Sequence, residues 1–145
     1  MKNYERVPTG IKGLDPLIEG GFPQGSLILV AGNAGVGKTI FGAEFLHEGA
    51  TKFGQKGVYV SFAEGRENFN ENMLRLGLDF EKLEESGRIR VLDLVTVKEA
   101  GMETVMEMIA SEIHSLGAER LVIDSFSALT CAFDAKINVR ILIHI

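Results

Sequence analysis

Gly32-Asn33-Ala34-Gly35-Val36-Gly37-Lys38-Thr39 is the stretch that decides how this chain folds. It reads Gly, four residues, Gly-Lys-Thr, the spacing of a phosphate-binding loop. Glycines let the backbone curl until successive N–H groups point inward at phosphate oxygens. Lys38 brings a positive charge to the outer phosphates, and the Thr39 hydroxyl is an oxygen ligand of the kind Mg2+ takes. A helix that starts here adds the positive end of its dipole, with Ile40 in its first turn. Gly32 through Ile40 are therefore the expected nucleotide-binding residues.

The flanks supply the context that such a loop requires. Before it, Ser26-Leu27-Ile28-Leu29-Val30-Ala31 is a short apolar run that reads as a buried strand. After it, Ile40, Phe41, Phe45, Leu46 and Phe53 recur at helical spacing, and Gly54 is placed to end that helix. A glycine-rich turn that binds nothing needs neither the lysine nor the hydroxyl.

Working outward, strand-like runs alternate with helical patterns, which points to an α/β fold with a parallel sheet. Residues 9–25 form a turn-rich lead-in with a short helix near Leu14 to Ile18. Val58 to Phe62 reads as a strand, Glu67 to Leu76 as a helix stopped by Gly77, and Phe80 to Glu85 as a second short helix. Ile89 to Asp93 alternates as a strand should. Met102, Val105, Met106, Ile109, Ile113 and Leu116 form one apolar stripe on the best helix of the chain, with Gly117 behind it. Leu121-Val122-Ile123-Asp124 is then a further strand. From Ile137 to Ile145 isoleucine or valine occupies every second position, a period that favours a strand.

The bulk properties narrow the classes. A chain of 145 residues is expected to form a single domain spanning 1–145. The net charge of −5 counts against a nucleic-acid partner. Cys131 is the only cysteine, which rules out an intramolecular disulfide or a cysteine-built zinc cluster. No apolar run approaches the roughly 20 residues of a membrane span, and no secretory signal follows Met1, so a cytoplasmic setting without a membrane partner is expected.

Hydrolysis of a nucleotide needs a second acid near Mg2+ and a group that positions water. Asp124 ends an apolar strand, where open α/β sheets place their ligands. Glu64 follows another strand, where a carboxylate orients or deprotonates water; the alternative is a solvated loop acid. Ser125 and Ser127 read either as part of a water network or as caps of the next turn. His47, His114 and His144 lack metal-ligand spacing.

Thr9-Gly10-Ile11, Gly13-Leu14-Asp15, Gly20-Gly21-Phe22-Pro23 and Gly25, followed by the loop strand, resemble the opening of KaiC-like ATPases of the RecA superfamily. The likeness continues through Tyr59 to Glu64, Arg88 to Asp93 and Val122 to Leu129, so it spans roughly residues 7–130. It implies a RecA-like P-loop NTPase core, a mainly parallel β-sheet flanked by helices on both faces. It implies ATP and Mg2+ as cofactors, with ATP often held between subunits of a homo-oligomeric ring. By position, Gly32, Gly35, Gly37, Lys38 and Thr39 would be the Walker A residues, Thr39 and Asp124 the metal residues, and Glu64 with Lys38 the catalytic ones.

Two departures accompany the likeness. Clock members of the family show two adjacent glutamates where this chain has Ala63-Glu64. Family domains are also longer, so the C-terminal part of the core is expected to be missing, including a strand between the loop strand and the Asp124 strand. Either Ile137 to Ile145 takes that place or the chain is a truncated or fragmentary member; the family would make this segment a helix, whereas its own period favours a strand. The expected function is an ATP-binding, ATP-hydrolysing protein with a regulatory or signalling role. The alternatives are a binding module that does not hydrolyse its nucleotide, or a relative of DNA recombinases.

Overall fold

The computed structural model describes residues 4–97, 100–125 and 127–128. A short antiparallel pair, β1 (Arg6–Val7) and β2 (Phe22–Pro23), closes the glycine-rich lead-in. Between them Asp15–Ile18 forms a 3-10 turn begun by a proline. Then come α1 (Lys38–Lys52), β3 (Gly57–Ser61), α2 (Arg66–Arg75), α3 (Phe80–Glu85), β4 (Ile89–Asp93), α4 (Met102–Leu116) and β5 (Arg120–Asp124).

β3, β4 and β5 form a parallel sheet in the order β4-β3-β5. The register sets Tyr59 opposite Val91 and Val122, and Ser61 opposite Asp93 and Asp124. β3 is buried along its whole length, as the centre of a two-faced parallel sheet must be. Alternation then splits its residues between two cores. Tyr59 packs with Ala43, Leu46, Phe69, Met73, Phe80, Leu83 and Val91, beneath α1, α2 and α3. Val58 and Val60 pack with Val105 and Ile109 of α4 on the opposite face. The helices thus cover both faces of the sheet, as the sequence predicts, and the apolar stripe of α4 is the face that is buried.

One expectation fails. Ser26–Ala31 is not a strand: it pairs with no described strand and its residues lie exposed, Leu27 at 75% and Leu29 at 80%. An apolar run gives side-chain preference, but a strand also needs a neighbour for its backbone N–H and C=O groups. β5 pairs with β3 on one edge and with no described strand on the other. The alternating segment Ile137 to Ile145 and Cys131 lie outside the described residues.

A buried cation that the sequence patterns do not reveal ties the lead-in to the sheet. Arg120, 3% exposed, donates to the carbonyls of Pro8 (2.6 Å) and Phe45 (2.8 Å) and to Gln55 Oε1 (2.8 Å). Its guanidinium carbon lies 4.4 Å from the Phe45 ring centroid and 5.4 Å from that of Phe53, within cation–π range. Gly49 makes room for it: a Cβ there would come within 2.5 Å of Arg120 Nε. Next to this tie, Asp15 accepts from Thr9 N (2.9 Å), Thr9 Oγ1 (2.6 Å) and Gly10 N (3.1 Å). Burial pushes the Asp15 carboxyl up, but the donors on Thr9 and Gly10, with the Arg120 charge, outweigh it and hold the carboxyl below its ordinary value.

Candidate functional site

The glycine-rich loop Gly32–Gly37, the expected phosphate site, runs directly into α1. Gly37 caps this helix with φ at 97°, a left-handed conformation that side-chain-bearing residues resist. No side chain caps the helix, so its first N–H groups, on Lys38, Thr39 and Ile40, face the loop. Those donors and the helix dipole form an anion-binding end. Lys38 Nζ lies folded over the same loop, donating to the carbonyls of Gly32 (2.6 Å) and Asn33 (2.8 Å). Its charge therefore sits within the loop that Asn33, Ala34, Gly35 and Val36 complete.

The sheet delivers the acids. β5 ends at Asp124 beside the first turn of α1, and Thr39 Oγ1 donates to Asp124 Oδ2 at 2.7 Å. Residues 85 positions apart in the chain are thus brought together at the carboxyl end of a parallel sheet. Thr39 and Asp124 form an all-oxygen pair, which fits a hard cation such as Mg2+. A second donor reaches the same oxygen: Tyr59 Oη lies 2.6 Å from Asp124 Oδ2. Sequence reasoning passed over Tyr59, because its reach to Asp124 appears only once β3 and β5 are in register.

Glu64 leaves β3 on the same edge. Ser61 fixes its backbone, accepting from Glu64 N (3.1 Å) and donating to Glu64 O (2.5 Å). Asn72 Nδ2 of α2 donates to Glu64 Oε1 at 2.6 Å. Glu64 is half-buried, and one of its carboxylate oxygens is held by that bond. Asp93, at the end of the adjacent β4, accepts from Arg66 N at 3.0 Å and so fastens the start of α2.

The remaining candidates sort cleanly. Ser125 Oγ accepts from Ala128 N at 3.1 Å, the capping role. His47 lies against Phe80 and beside Glu48, and among the described residues no group of acidic, histidine or cysteine side chains forms a metal cluster. His144 lies outside the described residues. No described helix is long and apolar enough to cross a membrane.

Comparison with known proteins agrees with this geometry. The chain is 34% identical over 150 residues to the circadian clock protein KaiC2 of Synechocystis, covering 96% of this chain and 26% of that protein. It is 32% identical over 139 residues to a UPF0273 protein of Methanocaldococcus jannaschii, covering 86% of this chain and 57% of that one. The chain therefore spans only part of the length of the curated relatives it matches. Among solved structures, a KaiC-like protein of Pyrococcus horikoshii superposes with a TM-score of 0.82 at 38% identity, over 88% of this chain and 56% of that one. The family model described as "ATPase: KaiC" matches residues 7–144, and the chain belongs to that family, with its α/β RecA-like fold.

Proposed function

We propose that this chain binds ATP with Mg2+ at the loop Gly32–Thr39 and hydrolyses it. The observation that carries the reading is the 2.7 Å contact between Thr39 and Asp124, which joins the phosphate loop to the acid at the end of β5. Membership of an ATPase family supports it. In this reading Lys38 exchanges its loop carbonyls for the β- and γ-phosphate oxygens, and the N–H groups of Gly35 through Ile40 cradle the phosphates. Thr39 and Asp124 would hold Mg2+, which when bound would supply neutralising charge at the phosphates. Glu64, steadied by Asn72, orients water toward the γ-phosphorus and accepts its proton.

A regulatory role, assembly into a homo-oligomer and a single domain over 1–145 belong to the same proposal. Clock proteins among the relatives support the first of these. A net charge of −5 sets the recombinase reading behind it.

Titration with a fluorescent ATP analogue tests the site. Lys38→Ala removes charge-assisted bonds worth about 3 kcal/mol, so binding should weaken roughly 100-fold. Unchanged affinity would refute the assignment of the loop. Phosphate release that is equal in the wild type and Glu64→Gln would leave a binding module without turnover.

A further inference from the structure

We propose that Tyr59 is a positioning residue for the metal end of the site: its hydroxyl fixes Asp124 in the orientation that, with Thr39, takes up Mg2+. The inference rests on the nucleotide reading above and deepens it.

The argument starts from where the ring sits. Tyr59 is fully buried at the middle of β3. Its ring stacks on Phe69, with centroids 4.2 Å apart at 29°, and meets Phe80 edge-on at 6.3 Å and 77°. Everything that the ring touches in this cluster is apolar, so a phenylalanine would fill the same space. The hydroxyl is the exception. A hydroxyl in a core is costly unless it finds a partner.

The partner is supplied by sheet geometry. Tyr59 lies directly opposite Val122, and Asp124 is two residues further along β5 on the same face. That diagonal is within reach of an aromatic side chain. The phenol bridges it, donating to Asp124 Oδ2 at 2.6 Å.

Asp124 Oδ2 thus accepts two protons, from Tyr59 and from Thr39 at 2.7 Å. Two donors on one oxygen set the rotation of the carboxylate. The two differ in stiffness. Thr39 sits half-buried at the start of α1, beside the exposed glycine-rich loop, whereas Tyr59 is held by the core. Asp124 is therefore registered to the rigid sheet through Tyr59. Thr39 keeps two oxygen lone pairs beyond the proton it donates, which suits it to ligate a cation while remaining bonded to Asp124. Outer partners of a metal ligand, such as Tyr59 here, typically change metal affinity 10- to 100-fold when lost.

Tyr59→Phe tests this directly, because it keeps the ring and removes one oxygen. Fluorescent ATP analogue is titrated in EDTA and then across a range of Mg2+ concentration. Affinity in EDTA should stay within about twofold of wild type, while the Mg2+ concentration for half-maximal tightening should rise about tenfold. Phe69→Leu disturbs the same aromatic stack without touching the hydroxyl, and should leave the Mg2+ midpoint unmoved. An unchanged midpoint in Tyr59→Phe overturns the inference alone. So does an equal shift in both variants, which would make the effect one of packing. Failure of the wild type to bind the analogue in EDTA and at every Mg2+ concentration overturns the nucleotide reading, and the inference with it.

Discussion

Replacing Arg120 by Met tests how this small fold holds its lead-in against its sheet. Met keeps the apolar stem and removes the guanidinium, and with it the bonds to Pro8 O, Phe45 O and Gln55 Oε1 and the stacking on Phe45. Each bond from a charged donor contributes about 1.5–3 kcal/mol, and a buried acceptor left without its donor costs about 1–3 kcal/mol. Relief from burying the charge offsets several kcal/mol of that sum. A net loss of about 3 kcal/mol remains, a large part of the 5–15 kcal/mol typical of a whole domain. With a urea m-value of about 1.5 kcal/mol per M, the unfolding midpoint should fall by about 2 M.

Chemical denaturation followed by far-UV circular dichroism measures the shift. Arg120→Lys should recover less than half of it, because an ammonium cannot present a planar fork to several acceptors or stack on Phe45 in the same way. A midpoint shift below about 0.5 M in Arg120→Met, with an unchanged m-value, would show that the acceptors find other partners and that the tie is not what holds the lead-in.

Two further perturbations probe the same region. Gly49→Ala places a methyl group where Arg120 Nε comes within 2.5 Å, so it should destabilise by about 1–3 kcal/mol in the same urea assay despite the better helix propensity of alanine. Asp15 has its carboxyl held below the ordinary value, so it adds stability above its unfolded pKa and loses it as pH falls through the lower folded value. Thermal melts of Asp15→Asn should therefore differ most from wild type near neutrality and converge with it below about pH 4; parallel curves across that range would contradict the assignment.

The elements with strong local signals were legible in the sequence. α4 is one: six apolar residues at helical spacing ending on Gly117 specify both the helix and the face it buries. The turn from Gly32 into α1 is another, because Gly35 and Gly37 mark positive φ and Lys38 the start of the helix. Asp124 was legible as a strand-end acid, and the structure sets it against Thr39.

What escaped depends on partners far away in the chain. Tyr59 reads as one more strand residue until Asp124, 65 positions on, lies diagonally across from it. Arg120, just before the expected strand Leu121 to Asp124, carries no local signal, yet it is buried and bonded to carbonyls up to 112 positions away. Ser26–Ala31 shows the converse error. Its side chains state a strand preference strongly, but the preference is for a pleated neighbour, and no described strand provides one.

That stretch, paired by no described strand, has a thermodynamic consequence for the loop it carries. Ser26–Ala31 connects the turn after β2 to the phosphate loop, so the ends of the loop are anchored unequally, firmly at α1 and weakly on the other side. Fixing a backbone residue in one conformation costs about 1–2 kcal/mol, and a ligand that must do this work binds less tightly than its contacts would allow. Anything that pairs with Ser26–Ala31 relieves the ligand of that cost. Linkage makes the effect mutual: strand partner and nucleotide would strengthen each other's binding by the same factor without touching. On the proposed nucleotide reading, Ser26–Ala31, which no described strand pairs, would be an input to nucleotide affinity.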